Sequence, residues 1–266
     1  MNRVTPLART PLVALARFDH PPDDVHRDPD EERSRCLSVS FVESGGFALR
    51  TDRGRERLSA RALFVSWPGL AYTCEHPSEG APDDVCLTLD FEEPFGADIL
   101  AAHAAEEPAA PTAPLTNRLG YLRDALAGAA DDAVALETLA SAVLQEVLRR
   151  PRAGPLFRPS QLQWYARRID AARELMETSS AEPHSLADLA RDAAMSPFHF
   201  ARVFAELVGT PPHRYLRDLR LRAAATRLRE GASVTGACFA SGFANLGHFT
   251  RSFRRAYGVL PSRFAG

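Results

Sequence analysis

The chain has 266 residues, long enough for two domains of ordinary size, and its 45% hydrophobic and 25% charged content excludes wholesale disorder. It contains no run of about eighteen apolar residues to span a bilayer, and its start lacks the apolar stretch and small-residue cleavage site of an export signal, so the cytoplasm is the expected compartment. The net charge of −2 conceals an asymmetry: 17 arginines against 25 acids up to Ser160 give −8, and 15 arginines against 9 acids from Gln161 onward give +6, as suits a chain whose second half alone meets a polyanion.

From Cys36 to Phe91 the pattern has period two. Leu37, Val39 and Phe41, then Val85, Leu87, Leu89 and Phe91, alternate with Ser38, Ser40, Cys86, Thr88 and Asp90, which predicts half-buried strands. Turn signals at Ser44-Gly45-Gly46, Asp52-Arg53-Gly54 and Pro68-Gly69 cut this stretch into short pieces, so a small antiparallel barrel or sandwich is expected. Within it, Cys74 and His76 fall on one face of a strand-like segment, the chain returns to bring Cys86 near, and Cys36 completes a candidate ligand set. Three thiolates and an imidazole suit tetrahedral zinc, or an oxidant-sensing role, although the spacing matches no standard finger. The competing reading is that cysteine is a small residue often buried for packing. No motif requires a cofactor, and zinc is the one metal the set suggests.

After the proline-broken stretch 106–114, Leu115, Leu119, Leu122 and Leu126, then Leu136, Leu139, Val143 and Val147, recur at helical spacing. Such stripes serve either to cover the barrel or to pair with a second copy in a homodimer. Residues 149–160 are rich in proline and arginine and read as a linker.

The last hundred residues contain a unit used twice. His199/His248, Phe200/Phe249, Arg202/Arg251, Phe204/Phe253, Gly209/Gly258 and Pro212/Pro261 are identical pairs at one offset of 49 residues. Each copy is preceded by a short helix with its own start signal, Ser185 to Asp188 and Ser233 onward. Each second helix opens on a capping residue, Ser196 with Pro197 or Asn245 after the Gly242 turn. Phe200, Val203, Phe204 and Leu207, with Phe249 and Phe253, make the inner face. The outward face carries Phe198, Ala201, Arg202 and Ala205 in the first copy and Leu246, Gly247, Thr250, Arg251 and Arg254 in the second. A slim face bearing one guanidinium is what a helix needs to enter the major groove and grip guanine O6 and N7, which makes Arg202 and Arg251 the candidate base readers. His199 and His248 are expected to be scaffold. Between the copies, His213 to Gly231 reads as one helix of about 27 Å, spacing two readers for successive grooves about 34 Å apart.

With Ala240-Ser-Gly-Phe243, His248-Phe-Thr-Arg-Ser-Phe253 and Tyr257-Gly-Val-Leu-Pro-Ser262, the region from about Gln161 to Gly266 resembles the DNA-binding domain of AraC/XylS-type transcription regulators. The resemblance implies base-facing roles for Phe198, Ala201, Arg202, Leu246, Gly247, Thr250 and Arg251, with Arg254 near phosphate. It also implies a cupin-like barrel that binds an effector, followed by dimerising helices. The expected organisation is an α+β chain with a sensor domain at 1–105, helices at 106–150, a linker at 151–160 and a two-motif helical DNA-binding domain at 161–266. Double-stranded DNA, an unidentified effector and, for an activator, RNA polymerase are the expected partners; no membrane is. The rivals are an Ada-like alkylation-repair protein, which needs a Pro-Cys-His setting that none of the cysteines has, and a cupin metalloenzyme, which needs more histidines than His76 on the barrel.

Overall fold

The structure is a computed structural model and describes residues 3–20, 31–75, 84–103, 108–149 and 154–264. The chain divides into two units, Met1–Leu156 and Phe157–Gly266.

In the first unit the strands run β1 (Arg3–Arg9), β2 (Val13–His20), β3 (Glu32–Arg33), β4 (Leu37–Ser44), β5 (Gly46–Thr51), β6 (Gly54–Ser59), β7 (Ala62–Ser66), β8 (Ala71–Glu75), β9 (Asp84–Phe91) and β10 (Thr112–Pro114). They form a six-stranded sheet in the order β1-β2-β9-β4-β7-β10 and a four-stranded sheet in the order β3-β8-β5-β6, paired antiparallel throughout. The antiparallel layout is the one the alternation predicts. The half-buried expectation is not met: β4 buries Leu37, Val39 and Phe41 and also Ser38 and Ser40.

The reason is that this sheet is covered on both sides. On one side lies helix α1 (Phe95–Ala102), where Gly96 permits close approach, since a Cβ there would stand 3.2 Å from the side chains of Leu37 and Phe91. On the other, Phe64 of β7 meets Tyr72 of β8 with ring centroids 4.9 Å apart, joining the two sheets. Hydroxyls survive burial there by bonding to each other: Ser66 to Ser34 and Ser38 at 2.8 Å, and Ser40 to Thr88 at 2.9 Å.

Helices α2 (Asn117–Gly128) and α3 (Ala133–Leu148) begin at Thr116 and Asp132, whose side chains accept from the backbone N–H of Leu119 and Ala135. Their stripes pack within the chain: Leu119, Leu122, Leu126, Leu136, Val143 and Val147 are buried, whereas Leu139 is only half-buried. Within the segment read as a linker, the Pro155 carbonyl accepts from Asn117 at 3.0 Å.

The second unit is helical: α4 (Pro159–Thr178), α5 (Leu186–Asp192), α6 (Pro197–Val208), α7 (Pro212–Arg229), α8 (Val234–Ala240) and α9 (Leu246–Tyr257). α7 is the connecting helix the sequence predicts, 18 residues or about 27 Å long. Phe200, Phe204, Phe249 and Phe253 are fully buried, each contributing about 1.5–3 kcal/mol of burial. No helix among the described residues is long and apolar enough to cross a membrane.

Candidate nucleic-acid interface

Each pair, α5 with α6 and α8 with α9, is built by the same local chemistry. The caps are the four residues the sequence marks: Ser185 accepts from Asp188 N–H at 3.0 Å, Ser196 from His199 at 3.4 Å, Ser233 from Gly236 at 3.1 Å and Asn245 from His248 at 2.8 Å. Ser185 also donates to the Asp188 carboxylate at 2.5 Å, and that bond, with Arg191 beside it, holds the carboxyl below its ordinary pKa. Both second helices end on a glycine in the left-handed region, Gly209 and Gly258.

The two turns differ by one residue. Met195 N–H donates to Ala190 and Phe243 N–H to Cys238, an offset of 48, whereas the reading helices sit at 49, so Ala244 is an insertion in the second turn. The left-handed residue in the first turn is Ala194 at φ 53°, and in the second Gly242 at φ 84°. Alanine in this region carries a steric cost of roughly 1–2 kcal/mol, partly offset by its smaller unfolded-state freedom. Ala194→Gly is therefore expected to stabilise the protein by about 0.5–1 kcal/mol, read as a raised midpoint in thermal unfolding. An unchanged or lowered midpoint rejects the strain.

With the inner faces buried, the outer faces are left to solvent. Phe198, Arg202, Leu246, Gly247, Arg251 and Arg254 are exposed, and Ala201 and Thr250 partly so. A groove of about 840 Å³ is lined by Phe198, Ala201 and Arg202 from α6 and by Ala244 and His248 from the second pair. The arginines differ in setting. Arg202 lies 3.9 Å from the Glu206 carboxylate and donates to His199 Nδ1 at 3.4 Å. Helix α9 contains no acidic residue, and the Arg251 guanidinium lies over the bare Gly247, 3.6 Å from where a Cβ would stand.

His199 has the scaffold role expected of it: its Nε2 is 2.9 Å from the Tyr165 hydroxyl, tying α6 to α4. His248 is exposed on the groove, with its ring beside Phe243. Sequence reading missed Tyr165 and Arg220. The latter donates to the carbonyls of Ser180 and Glu182 at 2.7 Å and so anchors the segment between α4 and α5 to α7. Neither contact has a local signal, since each joins residues more than thirty positions apart.

Residues 189–266 match the family model described as a helix-turn-helix domain. The second unit carries an AraC-type helix-turn-helix domain. The chain is 40% identical over 82 residues to the HTH-type transcriptional regulator Rv1931c of Mycobacterium tuberculosis, covering 30% of this chain and 32% of that one. It is 35% identical over 92 residues to the HTH-type transcriptional regulator GlxA of Rhizobium meliloti, covering 34% and 28%. Among solved structures, an AraC-type regulator from Chromobacterium violaceum is 29% identical, covering 37% of this chain and 89% of that one at a TM-score of 0.35. The chain thus spans about a third of the length of the curated relatives it matches.

The cysteine set is a different matter. Cys36 and Cys74 are half-buried and Cys86 is buried, while His76 lies outside the described residues. Among the described residues no group of three or more histidine, cysteine or acidic side chains is arranged to hold a metal ion. Burial, with Asp90 beside it, pushes the Cys36 thiol up to about 11; burial, with Asp84 beside it, pushes Cys86 up to about 12; Cys74 is raised by burial and Glu32. Cys238, a core residue of the second helix pair as its match to Ala190 suggests, is raised by burial alone. These settings disfavour the thiolate that both zinc ligation and oxidant sensing require. With all three held protonated, alkylation of Cys36, Cys74 and Cys86 is expected to run about tenfold or more slower than that of free cysteine. Site-resolved mass spectrometry checks this, and a rate equal to that of free cysteine at Cys36 or Cys86 sinks it.

Proposed function

We propose that this chain is a sequence-specific DNA-binding transcription regulator that lays α6 and α9 into successive major grooves of one duplex. The observation that carries the reading is the matched pair of exposed arginines, Arg202 and Arg251, at equivalent positions of the two second helices of an AraC-type domain. Phe198, Ala201, Leu246, Gly247 and Thr250 accompany them toward base edges, and Arg254 reaches phosphate. The balance of +6 from Gln161 onward supplies the sequence-independent attraction, and the −8 of the remainder keeps the first unit off the polyanion.

The first unit senses a small molecule in this reading. What favours a small molecule over a metal or an oxidant is that the thiols of Cys36 and Cys86 are held protonated. If the chain activates transcription, RNA polymerase is a protein partner in this reading.

Selection of genomic fragments bound by the purified full-length chain, followed by footprinting, tests the reading. The expected result is a shared sequence with two protected patches about one helical turn apart on one face of the duplex. No protected stretch on any selected fragment at low ionic strength rejects it.

A further inference from the structure

The twin motifs share an inner face and diverge on the outer one. Where α6 has Phe198, Ala205 and Glu206, α9 has Gly247, Arg254 and Arg255. The first reader therefore carries one acid against its single arginine, and the second carries three arginines and no acid.

Phe198 is 82% exposed, the most of any large apolar side chain among the described residues. It is the second residue of α6, on the turn that follows the Ser196 cap, and it borders the groove that Arg202 also lines. The fold does not need an aromatic there, since its equivalent in the second motif is a glycine and the inner face is filled by Phe200 and Phe204. An exposed phenylalanine gains nothing in the free protein, because its apolar surface is left in water.

The major groove displays one apolar group, the C5-methyl of thymine, and phenylalanine and alanine are side chains that meet it. Resting on the regulator reading above, we infer that α6 recognises its half of the operator through thymine methyl groups packed against Phe198, with the short side chain of Ala201 leaving room for the duplex to approach. Arg202, drawn toward Glu206, supplements that contact, and the electrostatic share falls to α9.

The test uses the full-length protein and a synthetic operator, taken from the selection above, in which each thymine on the α6 side is replaced in turn by uracil. This removes one methyl and keeps every hydrogen-bonding group. Affinity is expected to fall about fourfold for each methyl that Phe198 contacts. Phe198→Ala, at an exposed position, is expected to fold normally and to bind the thymine and uracil operators alike. Equal affinity of the wild type for both operators overturns methyl reading while leaving DNA binding intact. Retention of the thymine preference in Phe198→Ala also overturns it, by removing Phe198 as the contact. Absence of binding to any duplex removes this inference and the regulator reading together.

Discussion

Replacing Arg251 by alanine is expected to weaken operator binding by about 5- to 150-fold, the 1–3 kcal/mol range of a bidentate arginine–guanine pair. Arg202→Ala is expected at the low end of that range. The difference follows from the free protein. Arg202 already has Glu206 at 3.9 Å and His199 at 3.4 Å, and it gives up part of those interactions on entering the groove, so less is lost when it is removed. Arg251 sits on a helix without a single carboxylate, against a glycine that leaves the guanidinium room to reorient toward a base. Exposed pairs such as Arg202 with Glu206 are worth little by themselves, so the contrast is one of degree, and Glu206→Ala is expected to strengthen binding slightly. Titration of wild type and the two arginine variants at one fixed salt concentration, on operator and on scrambled duplex, separates base reading from charge. Unchanged operator affinity in both variants rejects the base-reading assignment.

The second unit was largely legible in the sequence because its constraints are local. Serine, asparagine and proline at helix starts act within four residues, and the buried phenylalanines recur at helical spacing, so Ser185, Ser196, Ser233 and Asn245 could be placed without knowing what the helices pack on. The outward faces followed by subtraction. What the pattern did not carry was long-range: the Tyr165 hydroxyl against His199, and the pairing of Arg202 with Glu206 that makes the two readers unequal.

In the first unit the alternation of Leu37 with Ser38 gave the strand and its period, but it implied a wet face. Serine is small enough to be buried when a neighbouring hydroxyl accepts its proton, and Ser38 with Ser66 does this, so polarity misreported exposure. Strand β2 is poorly marked in the sequence because its short alternation, Val13 and Leu15 against Ala14 and Ala16, offers little contrast in polarity. The metal proposal failed to gain support for a related reason. Sequence spacing places Cys74 near Cys86 but does not report Glu32, Asp84 and Asp90, the carboxylates that work against their ionisation and that of Cys36.

The fixed relation between the two readers depends on Gly242, and Gly242→Ala is expected to cost about 2–4 kcal/mol, lowering the unfolding midpoint of the helical unit by about 10 °C or more. Two effects add. At φ 84° an alanine carries the left-handed penalty, and its Cβ would stand 2.6 Å from the Ala181 carbonyl oxygen and 2.9 Å from Arg220 Nε, contacts no real structure keeps. Because Arg220 holds the carbonyls of Ser180 and Glu182, relief of the clash must shift the segment leading into α5, and with it α6 relative to α9. Gly231→Ala separates the two effects, since Gly231 also has a positive φ of 89° but nothing within 4 Å of its missing Cβ. It is expected to lose only the conformational part, about 1 kcal/mol, and to bind the operator as the wild type does. At a temperature where both variants are folded, Gly242→Ala is expected to lose operator affinity while keeping its salt-dependent hold on scrambled duplex, because spacing governs the first and charge the second. Equal stability and equal operator affinity of the two variants would show that the turn at Gly242 does not set the distance between the helices.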